Sequence, residues 1–233
     1  MNKTDFHSTQ RSVIIVAGGS GSRMKSDRPK QFLELLGKPV LMYTLEAFNR
    51  FDSTIDLIVV LPADQIPFWE QLCLNHDFVI RHQVVAGGDT RFHSVKNGLS
   101  ALSVCDLVAI HDGVRPLVSQ TTIENCFSIA QKQGAAIPVL PVIESLREGN
   151  MEESAPVDRS RYYSVQTPQI FRTSTLLKAY EQDFNALFTD DASVVESAGF
   201  RVKLVEGNRE NIKITHPVDL RIAEFFLSRP GRK

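Results

Sequence analysis

Short apolar runs alternate along the chain with longer stretches in which apolar positions recur every three or four residues. The runs at 13–17, 55–61 and 107–110 each give way abruptly to polar residues. This is the pattern of strands buried on both faces of a parallel sheet. A fourth run, 78–86, mixes apolar residues with Arg81, His82 and Gln83 and is read as a strand as well. Helical periodicity fills the intervals at 41–50, 68–75, 92–102 and 122–133. In the last of these Ile123, Cys126, Phe127 and Ala130 form one apolar stripe. Strand and helix in alternation predict right-handed βαβ units. The expected fold is therefore α/β, an open, mostly parallel Rossmann-like sheet with helices on both faces.

The alternation stops between 141 and 168. Pro141, Gly149, Pro156, the acidic pair Glu152 and Glu153, and the run Asp158-Arg159-Ser160-Arg161 suit neither a core helix nor a central strand. An extended β-hairpin arm at about 141–165, turning near 148–150, accounts for them. Regular patterning resumes with helices at 173–183 and 190–198, a strand at 202–205 and a helix at 218–227. No internal repeat divides the chain, so 1–233 is read as a single domain carrying this arm.

Composition narrows the partners. A net charge of -1 over 233 residues gives no electrostatic reason to expect nucleic acid or a membrane surface. Cys73, Cys105 and Cys126 stand far apart with no C-x-x-C pair, which fits free thiols in a reducing compartment. The first eleven residues lack the apolar core of a signal segment, and no apolar stretch reaches the roughly eighteen residues of a membrane span. The expectation is a cytoplasmic protein.

In open α/β sheets ligands bind beyond the carboxyl ends of the strands. The segments 18–30, 87–94 and 111–116 should therefore open onto one edge. The first begins Ala17, Gly18, Gly19, Ser20, Gly21, where glycines let backbone N–H groups converge on a phosphate. It lacks the G-x-x-x-x-G-K-[ST] of a P-loop. Met24 stands where a dinucleotide fingerprint needs its third glycine, and Pro29 interrupts the helix that should follow. Instead the loop turns basic, with Arg23, Lys25, Arg28 and Lys30 against Asp27 alone. That density of charge suits a triphosphate better than an idle solvated loop. The second segment reads as a glycine turn with Asp89 as a helix N-cap. In the third, Asp112 ends a strand facing the glycine loop and is placed to hold Mg²⁺. Its neighbour His111 has no accompanying nucleophile and is read as structural.

The string A-G-G-S-G-S-R-M…P-K-Q, from Ala17 through Gln31, resembles the signature of sugar-phosphate nucleotidyltransferases. Pro29-Lys30-Gln31 is similar to the methylerythritol phosphate cytidylyltransferase family in particular. The likeness continues through Gly87–Val95, His111–Pro116, Val157-Asp158-Arg159, Gln166–Phe171, Thr189–Ser193 and Val205–Thr215. It covers roughly residues 12 to 227, and the number and order of the motifs make it specific. The resemblance implies transfer of a cytidylyl group from CTP to 2-C-methyl-D-erythritol 4-phosphate, with loss of pyrophosphate, in isoprenoid precursor biosynthesis. It implies Arg23 and Lys30 as catalytic cations. Ala17, Gly18, Gly19, Ser20, Gly21, Gly88, Asp89, Ser94 and Gly113 would contact the nucleotide, and Asp112 the metal. Arg159, Lys213, Thr189 and Arg115 would serve the acceptor phosphate, with Arg159 delivered across a homodimer two-fold by the arm.

Departures from the family pattern are Gly18 and Ser20 in the loop, Ser145 in the arm and Glu210 in place of an aspartate. Only Glu210 bears on the acceptor, because a longer carboxylate shifts its contact with polyol hydroxyls. Ribitol 5-phosphate is the rival acceptor, since that related enzyme shares the glycine loop, P-K-Q, H-D-x-x-R-P and Q-T-P-Q. A silent nucleotide-binding protein of the same fold would be expected to lose a charge from Arg23, Lys30 or Asp112, and all are present.

Overall fold

The computed structural model describes residues 9–19 and 28–229. In chain order the strands are β1 (Arg11–Val16), β2 (Glu34–Leu35), β3 (Lys38–Pro39), β4 (Asp56–Leu61), β5 (Gln83–Ala86), β6 (Leu107–Asp112), β7 (Ala135–Pro141), β8 (Leu146–Gly149), β9 (Ser154–Val157), β10 (Tyr163–Val165), β11 (Gln169–Arg172) and β12 (Lys203–Glu206). The α-helices are α1 (Val40–Phe51), α2 (Ile66–Asn75), α3 (Arg91–Ser100), α4 (Gln120–Gln133), α5 (Thr173–Ala179), α6 (Asp191–Ser197) and α7 (Pro217–Leu227).

The main sheet runs β10-β7-β11-β6-β1-β4-β5, with β12 also pairing with β7. β6, β1, β4 and β5 are mutually parallel, as is β12 to β7. Alternation of side chains sorts the core. Val13, Ile15, Leu57, Val59, Leu107 and Ala109 face α1, α2 and α4, while Ile14, Ile58, Val60, Val108 and Ile110 face α3, α5 and α6. Burial on both faces explains why these strands read as continuous apolar runs. The expected open α/β sheet with helices on both faces is the observed one.

Four features differ from the sequence reading. The run 78–86 forms a strand only over its last four residues. Ahead of them His82 accepts from Trp69 Nε1 at 3.0 Å and contacts the Ile80 carbonyl at 2.8 Å, so side-chain bonds hold that stretch as a loop. The helix expected at 173–183 stops at Ala179, where the Gln182 amide donates to the carbonyls of Ala179 and Val194. The strands β2, β3, β7 and β11 lie outside the elements that the sequence pattern predicts. β11 is antiparallel to both neighbours and wedges between β6 and β7. The arm is a true hairpin in which β8 pairs with β9, turning at Asn150–Glu153 rather than at 148–150.

α3 lies against the sheet at Gly98. A Cβ there would stand 2.7 Å from Ile14 Cγ2 and 3.1 Å from Val60 Cγ2, both in strand positions that cannot retreat. Gly98→Ala is expected to cost about 1–3 kcal/mol through overpacking. Thermal unfolding measures it, and an unchanged Tm would show that the helix simply shifts outward.

Candidate active site

The carboxyl ends of β1, β5 and β6 open onto a cavity of about 230 Å³. Its walls combine Ala17, Gly18 and Gly19 after β1, Lys30 and Gln31, the loop of Gly88, Asp89 and Thr90 with Arg91 and Ser94, Asp112 at the end of β6, and Lys213. Distant segments thus meet where the sheet topology requires. Ser20, Gly21 and Arg23 lie outside the described residues. Lys30 is almost wholly buried, its stem running beside Gly19.

The loop before α3 is built by the helix itself. Thr90, not Asp89, is the N-cap, its Oγ1 accepting from the His93 amide at 3.3 Å. The helix begins one residue later than an Asp89 cap would allow, which leaves Asp89 on the cavity wall. Ser94 Oγ accepts from the Gly88 amide at 3.1 Å and donates to the Gly88 carbonyl at 3.3 Å. A Cβ on Gly88 would come within 2.5 Å of His93 Cβ, so only glycine permits the loop to fold this tightly on the first turn.

Asp112 is the electrostatic centre. Its Oδ2 takes Lys213 Nζ at 3.0 Å and Arg115 Nε at 3.1 Å. Burial pushes this carboxyl upward, but the charges of Lys213, Arg91 and Arg115 overcome burial and hold it well below the usual carboxylate range. Asp112 is therefore ionised at any working pH. Arg115 also donates from Nη1 to the Asn211 carbonyl at 2.8 Å, which ties the segment carrying Lys213 to the end of β6. Arg115 is not on the cavity wall, and it acts on the site through Asp112. Gly113 stands behind the wall, its amide donating to Val16 O at 2.9 Å. Arg159 lies in the arm, where its Nη1 donates to the Ile143 carbonyl, and Thr189 is exposed at the start of α6. Neither lines the cavity. Glu210 accepts from Asn208 Nδ2 at 3.1 Å and borders a separate hollow of about 580 Å³ among α1, α4 and α7.

His111 orients rather than reacts. Its Nε2 faces the Arg115 carbonyl at 3.1 Å, an acceptor only, so that nitrogen carries the proton. Nδ1 then accepts from the Thr167 hydroxyl at 3.1 Å, whose oxygen in turn accepts from the Asp112 amide at 3.1 Å. Burial pushes the imidazole pKa down to about 4.

Sequence reasoning passes over Arg91. It lines the cavity, and it is locked onto buried Asp191 through Nη1–Oδ1 at 2.8 Å and Nη2–Oδ2 at 2.6 Å. Its signal is the arginine of G-G-x-x-R-x-x-S-V, which the sequence offers only as part of a motif.

An open α/β sheet whose strand ends bring glycine backbones, lysines and a buried, ionised carboxylate around one cavity defines a nucleotidyltransferase. The model of the 2-C-methyl-D-erythritol 4-phosphate cytidylyltransferase family matches residues 12–229, and the chain belongs to that family. It is 54% identical over 218 residues to the 2-C-methyl-D-erythritol 4-phosphate cytidylyltransferase of Bacteroides thetaiotaomicron, covering 94% of this chain and 100% of that one. The solved cytidylyltransferase of Thermus thermophilus superposes with a TM-score of 0.77 at 35% identity, covering 94% and 98% of the two chains. The 4-diphosphocytidyl-2C-methyl-D-erythritol synthase of Anaerococcus prevotii gives 0.80 at 29% identity, covering 95% and 97%. The resemblance read from the motifs is borne out, and the chain is a cytidylyltransferase.

A neutral buried His111 makes stability depend on pH. The unfolded imidazole binds its proton below its ordinary 6.5, the folded one only below about 4. Stability should thus fall by on the order of 3 kcal/mol as pH drops through that window. Urea unfolding at pH 7 and pH 4.5 measures the loss. His111→Gln, which cannot be protonated, should flatten the slope in that interval, and an equally steep slope would move its origin to other groups.

Proposed function

We propose that the chain transfers the cytidylyl group of CTP to 2-C-methyl-D-erythritol 4-phosphate, releasing pyrophosphate and 4-diphosphocytidyl-2-C-methyl-D-erythritol. The observation that carries this reading is the convergence of Gly18, Gly19, Gly88, Asp89, Ser94, Lys30, Asp112 and Lys213 on one cavity. In such a site the triphosphate lies against the glycine backbones after β1, and the cytidine against the Gly88–Ser94 loop. An oxygen of the acceptor phosphate attacks the α-phosphorus in line, and pyrophosphate departs. The acceptor brings its own nucleophile, so the protein's part is positioning and stabilisation of negative charge. Lys30 and Arg23 serve the α-phosphate. Lys213 serves the acceptor phosphate, Thr189 is assigned to the same substrate from outside the cavity wall, and Arg115 sets Lys213 in place.

Asp112 fits a divalent cation. Both of its ion pairs use Oδ2, and it is ionised. Among the described residues no three His, Cys, Asp or Glu side chains cluster into a closed metal cage. One carboxylate plus substrate phosphates and water is the donor set that Mg²⁺ accepts. When bound, the cation would neutralise triphosphate charge.

The arm supports a homodimer in which Arg159 enters the partner's site. Among the described residues β8 and β9 pair only with each other, Met151 at the tip is fully exposed, and Ile143, Tyr162 and Tyr163 at the base are exposed apolar residues. The single-domain organisation, with the arm as an excursion from it, belongs to the same reading. No helix among the described residues is long and apolar enough to cross a membrane, which agrees with an enzyme working in the cytoplasm.

Pyrophosphate release from CTP and Mg²⁺, with methylerythritol 4-phosphate and ribitol 5-phosphate run in parallel, tests the reading. Turnover with the first acceptor alone is expected, and turnover with ribitol phosphate alone would overturn the acceptor. Lys30→Ala should lower kcat by roughly 10²–10³, the loss typical of one preorganised donor, and near-normal kcat would remove Lys30 from the chemistry. Lys213→Ala should raise the acceptor KM more than that of CTP. Equal increases would contradict its place at the acceptor.

A further inference from the structure

Arg91 is the first residue of α3 and Asp191 the first of α6. Their side chains form a two-pronged pair, and the Tyr180 hydroxyl adds a third donor to Asp191 Oδ1 at 2.7 Å. The Tyr180 ring stacks on Phe92, centroids 4.7 Å apart, so the cluster is packed as well as bonded. Asp191 has no exposed surface at all. On the far side Gln169 of β11 donates to Asp190 Oδ2 at 2.7 Å and accepts from the Ala192 amide at 2.9 Å, fixing the start of α6 to the sheet.

Stability alone is a poor reason for such a cluster. Asp191 is fully buried and Arg91 half-buried, and a carboxylate buried in this way recovers little more than its desolvation cost from its partner, so that apolar residues of the same volume commonly do as well or better. What a guanidinium–carboxylate fork does best is hold one geometry, because two parallel hydrogen bonds fit in one orientation only. The geometry held here lies between the cavity wall and the segment assigned above to the acceptor. Two residues before Arg91 stands Asp89 on the cavity wall, and two residues before Asp191 stands Thr189.

We propose that Arg91, Asp191 and Tyr180 form a positioning cluster that fixes the distance between the nucleotide-side loop and the acceptor-side segment, and thereby sets the turnover number. This deepens the reading above and rests on its assignment of Thr189 to the acceptor. Transfer between two bound phosphates tolerates little misplacement, for a shift of about 1 Å can cost on the order of 10²-fold in rate. Tyr180 and Asp191 do not line the cavity, so they work through Arg91 and the two loops.

The test pairs kinetics with thermal unfolding on the full chain. All rates are taken relative to the unmodified chain with whichever polyol phosphate that chain turns over, so an error in the acceptor assignment shows in the control and not in the ratio. Arg91→Met combined with Asp191→Leu and Tyr180→Phe removes the ion pair together with the hydroxyl it would strand, and keeps the volume. The expected result is a Tm within about 5 °C of the unmodified chain, as apolar replacement of buried pairs allows, with kcat lowered at least roughly thirtyfold. Near-normal kcat in the folded variant would overturn the proposal. Should that variant fail to fold, Tyr180→Phe decides. It deletes one hydroxyl, keeps the ring stack, and should lower kcat roughly three- to tenfold with both KM values within about twofold. An unchanged kcat there overturns the proposal equally.

Discussion

A buried carboxylate surrounded by cations organises this molecule's working edge. Asp112 ends β6 inside the sheet, where a lone negative charge would be costly, and it is compensated by Lys213, Arg115 and the nearby charge of Arg91. Each cation arrives from a different segment. The two ion pairs gather the turn after β6 and the stretch before α7 around one point, and the start of α3 brings the charge of Arg91 close to it. The contact with Asp112 places Lys213 on the cavity wall, and the pair with Asp191 places Arg91 there.

The backbone around Asp112 is held with equal economy. The chain from the Arg115 carbonyl through His111 and the Thr167 hydroxyl to the Asp112 amide gives partners to polar atoms that burial would otherwise strand. Asn211 adds to it, donating to the Thr167 carbonyl at 2.8 Å. A histidine beside an ionised carboxylate on a cavity wall invites a chemical role. Its full burial and depressed pKa show that it serves as a neutral spacer with one donor and one acceptor.

Much of this is legible in the sequence, for physical reasons that differ by element. β1, β4 and β6 are buried on both faces, so their apolar runs are unbroken. Gly88 follows the mixed run that ends in β5, whereas the loops after β1 and β6 follow the unbroken runs directly, which is why Gly18, Lys30 and Asp112 stand out from the sequence alone. The strand β11 does not. It begins with Gln169, a buried polar residue satisfied by Asp190 and Ala192, and its pairing is antiparallel in a sheet whose pattern predicts parallel neighbours. Likewise the Arg91–Asp191 pair joins residues 100 apart, a contact that no local spacing encodes. The cap at Thr90 escapes a sequence reading because Asp89 and Thr90 are both good cap residues and only the backbone chooses between them.

The wedge of β11 between β6 and β7 bears on how the chain comes to be folded. β6 and β7 follow one another with α4 between them, and the usual outcome would be two adjacent parallel strands. Instead the gap between them stays empty until the whole hairpin excursion has been made and residues 169–172 return to fill it. Until residues 169–172 are in place, the edge of β6 that they cover has no strand partner, and those residues follow the arm in the chain. Long-range closure of this kind is slow compared with local pairing. The β6–β11–β7 half of the sheet should be the last part to become protected, and the β1–β4–β5 half the first.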